Sequence, residues 1–124
     1  MKTYIDHIVI SVKNLKKSTA FYKTFLGKPK VTKWDASWKI GETKLFLTFP
    51  YSKSPRSFDK HNLGLNHLAL GVNSLNELKK FEKLLNKGKL KHSGIQIDKY
   101  SNKEFIWFDD PDKIRLEFYY RPLK

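Results

Sequence analysis

The feature that most constrains this chain is an internal repeat. Asp6-His7-Ile8-Val9-Ile10-Ser11-Val12-Lys13-Asn14-Leu15 aligns without a gap on Asn66-His67-Leu68-Ala69-Leu70-Gly71-Val72-Asn73-Ser74-Leu75, at a constant offset of 60. The same offset carries Phe21 onto Phe81 and Phe25 onto Leu85. A second match, Lys44-Leu45-Phe46-Leu47 on Arg115-Leu116-Glu117-Phe118, closes each half at an offset of 71. Self-similarity of this kind restricts the fold to one supersecondary unit used twice.

Each half reads as strand, helix and three strands. The opening strand alternates with period two, Ile8, Ile10 and Val12 on one face and His7, Val9 and Ser11 on the other. In the first half an amphipathic helix starts near Asn14 or Leu15, carries Leu15, Phe21, Tyr22 and Phe25, and stops at Gly27. In the second it starts at Ser74, an N-cap with Glu77 three residues on, and ends at Gly88 after a stripe of Leu75, Leu78, Phe81, Leu84 and Leu85. The remaining strands are predicted over Val31–Trp34, Ser37–Ile40 and Lys44–Phe49, then over Ile95–Tyr100, Glu104–Phe108 and Ile114–Tyr120. A turn at Asp109-Asp110-Pro111-Asp112-Lys113 precedes the last strand. The prediction is therefore one α+β domain over 1–124, with module one at 1–50, a linker at 51–63 and module two at 64–124.

A chain of 124 residues can bury a core without staples, and with no cysteine it has neither disulfides nor thiolate metal sites. No apolar run is long enough for a membrane span, and Met1-Lys2-Thr3-Tyr4 does not read as a secretory signal, so a cytoplasmic location is expected. The net charge of +13 invites a nucleic-acid reading, but only 3 of the 25 basic residues are Arg and the lysines are spread along the whole chain. A solvated Lys-rich surface is the plainer explanation. A bias toward small anions comes second, and nucleic acid is not expected as a partner.

The strand faces opposite the predicted core carry the chemistry. In the second half that face is His67, Ala69 and Gly71, a histidine beside residues too small to fill a core, so a cleft is expected there. In the last strand Leu116, Phe118 and Tyr120 should pack inward, leaving Arg115, Glu117 and Tyr119 on the cleft. A carboxylate between Leu and Phe is costly to bury unless it is paired or metal-bound. A lone strand histidine is usually a hydrogen-bonded core residue. Two at equivalent repeat positions, with Glu117 in the matching last strand, instead suit a divalent cation held by His7, His67 and Glu117. Tyr119 reads as a substrate contact or as ordinary packing, and Arg115 as an anion contact or as the partner of an acid. Trp34, Trp38 and Trp107 read as core or wall, and His61 and His92 as surface residues.

The segments Ile5–Val12, Phe21–Gly27, Leu65–Val72 and Phe108–Glu117 resemble the vicinal-oxygen-chelate superfamily of glyoxalase I, extradiol dioxygenases, fosfomycin-resistance proteins and bleomycin-binding proteins. Lys113 stands where such proteins often have Gly after the Asp-Pro-Asp turn. The resemblance implies a cupped eight-stranded mixed sheet from two βαβββ modules, frequently in a homodimer. It also implies a divalent metal (Fe, Mn, Ni, Co or Zn) on His7, His67 and Glu117, chelating two neighbouring oxygens of a small-molecule substrate. Catalytic roles would fall to Glu117, Tyr119 and Arg115. Phe46 occupies the position where glyoxalase I typically has a fourth ligand. The leading expectation is a metal-dependent glyoxalase-like lyase/isomerase or dioxygenase acting on a small oxygen-rich substrate, anionic ones included. A metal-free ligand- or drug-sequestering protein and a fosfomycin-resistance-type thiol transferase are the alternatives.

Overall fold

A computed structural model describes residues 1–123. The chain divides into two compact units, Met1–Ser57 and Phe58–Lys124. Each contains one copy of the repeat. In the first, the elements are β1 (His7–Ser11), α1 (Leu15–Leu26), β2 (Lys30–Val31), β3 (Asp35–Ile40) and β4 (Thr43–Thr48). In the second they are β5 (Leu68–Val72), α2 (Leu75–Lys87), β6 (Gln96–Ile97), β7 (Glu104–Asp109) and β8 (Arg115–Tyr120). The eight strands form two four-stranded mixed sheets of the same topology, β1-β4-β3-β2 and β5-β8-β7-β6. In each, the first strand runs parallel to the last and the other pairs are antiparallel.

The two offsets of the repeat reappear as one register. Val9 lies opposite Phe46 in the first sheet, and Ala69 lies opposite Glu117 in the second. Phe46 and Glu117 are thus structurally equivalent, and about eleven added residues between α2 and β8 leave the ladder unchanged.

The cores follow the alternation. Ile10, Val12, Leu45 and Leu47 are buried beneath Tyr22 and Phe25 of α1, which packs on β3 and β4. Val72, Ile106, Phe108, Leu116 and Phe118 are buried with Leu78 and Leu85 of α2. Phe81 stacks on Phe118 with ring centroids 4.1 Å apart. Trp38 is buried and its Nε1 donates to the Gly27 carbonyl at 2.8 Å, whereas Trp34 is exposed and belongs to no core.

Local chemistry sets the element ends. Asn14 Oδ1 accepts from the Lys17 amide, and Ser74 Oγ accepts from the Glu77 amide. Glu77 Oε2 reaches back to the Asn73 amide, one residue before the cap. Gly27 ends α1 with φ +82, but beyond α2 the left-handed residue is Lys89, one position past Gly88.

The second strand of each unit is shorter than its β-branched residues suggest, because side chains draw the backbone into turns. Thr32 Oγ1 accepts from the amides of Trp34 and Asp35, which ends β2. Asp98 Oδ1 accepts from the Tyr100 amide, which ends β6. The turn before β8 is built on buried Asp110, whose Oδ1 accepts from the amides of Asp112 and Ile114. Lys113 adopts φ +69 there, a conformation that favours Gly.

Candidate functional site

The second unit carries a cleft of about 720 Å³ on the sheet face opposite α2, within the size range of small-molecule sites. Two outward positions of β5, with the residue just before the strand, set its floor. His67, Ala69 and Gly71 all face away from the buried Val72 side, and a Cβ on Gly71 would meet nothing within 4 Å. The space beside the histidine therefore comes from small side chains.

Glu117 projects from β8 into this space, between Ala69 on one neighbouring strand and Trp107 on the other. His67 Nε2 lies 3.6 Å from Glu117 Oε1. His67 Nδ1 lies 2.7 Å from Asn66 Oδ1. An amide oxygen only accepts, so Nδ1 carries the proton in this contact, and in the neutral ring Nε2 is left as a lone pair. An imidazole lone pair and a carboxylate then face one another across a gap too long for a hydrogen bond. Burial pushes the Glu117 carboxyl above its ordinary value and nearby Asp98 adds to this, while His67 and Arg115 oppose them. A carboxylate held in that condition gains from a cation between it and His67.

The first unit repeats the histidine arrangement without the acid. His7 Nδ1 lies 2.7 Å from Asp6 Oδ2, leaving Nε2 outward. Phe46, at the position equivalent to Glu117, sets its ring edge-on to His7 at 6.1 Å between centroids. Among the described residues, no group of three or more His, Cys, Asp or Glu side chains forms a cluster that could hold a metal ion. The pair brought together is His67 with Glu117, and its donor chemistry fits a borderline divalent cation.

Tyr119 lines the cleft two residues beyond Glu117. Its hydroxyl donates to Asp98 Oδ2 at 2.7 Å and also contacts Ser101 Oγ, tying β8 to the loop after β6. Arg115 shares the face of Glu117 but is taken up elsewhere. Its Nε donates to Asp109 Oδ1 at 2.6 Å, and its guanidinium lies 4.2 Å from the Trp107 ring centroid. Two cations line the cleft, Lys99 and Arg121, and Arg121 lies 4.9 Å from the Tyr119 ring centroid. β8 ends at Tyr120, as the sequence predicts, and Arg121 continues the alternation of Glu117 and Tyr119 one residue beyond the strand. Asp98, Lys99 and Tyr100 also line the cleft, from a loop with no periodicity to mark them. His61 is exposed, and His92 is bound to Asn86 and the Gly94 amide.

Two βαβββ units, each with a histidine at or just before the start of its first strand and a small-residue floor in the second, define the class. Residues 4–118 match the model of the Glyoxalase/Bleomycin resistance protein/Dioxygenase superfamily, and the chain belongs to that family. Among individual relatives it is similar to the metallothiol transferase FosB of Lysinibacillus sphaericus (strain C3-41), with 29% identity over 93% of this chain and 80% of the other. It is also similar to the uncharacterized protein YwkD of Bacillus subtilis (strain 168), with 34% identity over 93% and 94% of the two chains. A glyoxylase/bleomycin resistance protein/dioxygenase domain from Frankia sp. EAN1pec has the same fold, with a TM-score of 0.79, 23% identity and coverage of 97% and 93%.

Proposed function

We propose that the chain is a metal-dependent enzyme acting on a small, oxygen-rich, anionic substrate, a lyase/isomerase or dioxygenase in type. The observation that carries this is the His67 Nε2 to Glu117 Oε1 gap of 3.6 Å, with Nδ1 of the same ring tied to Asn66. His67 and Glu117 would hold a divalent ion (Fe, Mn, Ni, Co or Zn), with His7 as third ligand from the first unit of this chain or of a second copy. Bound there, the ion would supply Lewis acidity to two adjacent substrate oxygens. The chain's own residues do the rest. Ala69 and Gly71 leave room for the substrate above the sheet, and Arg121 meets its anionic group at the cleft. Tyr119 fixes the loop that forms one wall and acts as a positioning residue, because its proton is committed to Asp98.

Phe46 narrows the choice of reaction. Beside His7 it provides an apolar ring where a carboxylate could have served as a base, so proton transfer between adjacent carbons of glyoxalase type should be weak. A thiol-transferase reading is favoured by one specific observation, the similarity to a metallothiol transferase over 93% of this chain. Attack by an external nucleophile needs no protein base at that position.

The test is to load metal-free protein with each of the five ions and assay α-oxoaldehydes with thiol, catechols, and fosfomycin with thiol. Metal-dependent turnover of one class that disappears in Glu117→Gln is the expected result. Binding of small ligands unaffected by chelator, with no turnover in any arm, would replace the enzyme by a sequestering protein.

A further inference from the structure

The first unit has a hollow of its own, of about 420 Å³, on the β2-β3-β4 part of its sheet. Four of its lining residues are lysines, Lys28, Lys30, Lys39 and Lys44, and all four are exposed. The only acid in the lining is Asp35, whose Oδ1 already accepts from Thr32 Oγ1 at 2.8 Å. Among the described residues none of the four lysines is in an ion pair.

Backbone register makes this more than a basic surface. Lys39 lies directly opposite Lys44 across β3 and β4, so the two side chains leave the same face side by side. Like charges at directly opposed positions destabilise a ladder. Lys30 is opposite Ser37, and Ser37 is opposite Phe46, which places a third ammonium stem, a hydroxyl and an apolar wall in the adjacent row. Lys28 enters from the segment after Gly27. Four compact, strongly hydrated cations around one concavity, against the single carboxylate of Asp35, leave a net positive lining arranged for a polyvalent oxyanion.

We infer that this hollow binds a small phosphate-bearing polyanion, with Lys28, Lys30, Lys39 and Lys44 as its charge partners and Ser37 as a neutral hydrogen-bond donor. The hollow adjoins the proposed metal site, since Lys44 lies opposite His7 and Phe46 lines it, but it requires no metal, so titrating the metal-free chain in EDTA keeps its outcome distinguishable from that of the His67–Glu117 proposal.

The test is calorimetric titration of inorganic tripolyphosphate into the metal-free full-length chain in EDTA. Wild type should show saturable binding with one anion per chain. Lys39→Gln/Lys44→Gln should weaken it about tenfold or more, because charge-assisted contacts are lost. Lys79→Gln/Lys80→Gln removes the same charge from exposed positions of α2 and should weaken it by about twofold or less, the share of the general field. The Lys39→Gln/Lys44→Gln chain should melt at or above the wild-type temperature, since a repulsion is removed, and that controls for folding. In wild type, the amide resonances of Ser37 and Phe46 should shift with saturation. Equal weakening by both double variants, or absence of saturable binding in wild type, overturns the inference.

Discussion

Asp109 shows how single residues in this chain are set by their immediate partners. Burial alone would raise its carboxyl, but the Arg115 hydrogen bond and charge, joined by Lys60, more than reverse this and hold it below the ordinary value. A depressed carboxylate contributes stability that is present above its unfolded pKa and lost as pH falls through its folded pKa. Asp109→Asn should therefore destabilise the chain near neutral pH, by about 1 kcal/mol or less because both partners are partly solvated. The difference should close in acid. Urea unfolding at pH 7 and near pH 3 reads this directly, and an equal loss at both values would remove Asp109 as the cause. The same ion pair explains why Arg115 could not be placed from sequence alone. Its position on the face of Glu117 is legible in the alternation, but the acid that captures it is a property of the folded turn. His67 and Glu117 were legible because the repeat and the strand period both mark them.

Elements were legible where periodicity and caps agree, as in α1 from Leu15 to Leu26 and α2 from Leu75 to Lys87. Their bounds are not legible where a side chain competes with the ladder. Val31–Trp34 and Ile95–Tyr100 have strand composition, yet Thr32 and Asp98 turn the backbone after two paired residues in each. The loop after β6 matters to the site because Asp98 and Ser101 both meet the Tyr119 hydroxyl. Tyr119→Phe should free that loop while leaving β8 in place, since the ring stays beside Phe105. The expected cost is about 1–2 kcal/mol. Hydrogen exchange should quicken at Tyr100 and Lys103, whose amides bond Asp98 and Ser101, and remain unchanged in α2. Unchanged protection at both amides would mean that the loop is held by its own turn alone.

On the scale of the whole molecule, duplication explains both the matched registers and the divergence of the two units. One copy keeps a carboxylate opposite its small-residue strand, and the other has Phe46 at that position and a ring of lysines nearby. No helix among the described residues is long and apolar enough to cross a membrane. Val9, Val31 and Ile97 are apolar, exposed and located on edge strands, an arrangement that association would cover. A homodimer is therefore expected, seen by light scattering as about twice the 14.7 kDa of one chain, and a mass of one chain at micromolar concentration would oppose it. The central claim is that His67 and Glu117 share a divalent ion. It is tested most directly by titrating Mn²⁺ or Zn²⁺ into metal-free wild type, His67→Ala and Glu117→Gln, with far-ultraviolet dichroism as a check on folding. One ion per chain in wild type, with affinity falling by a factor of about 100 or more in each folded variant as a ligand is lost, is the predicted result. The same stoichiometry and affinity in all three proteins would contradict it.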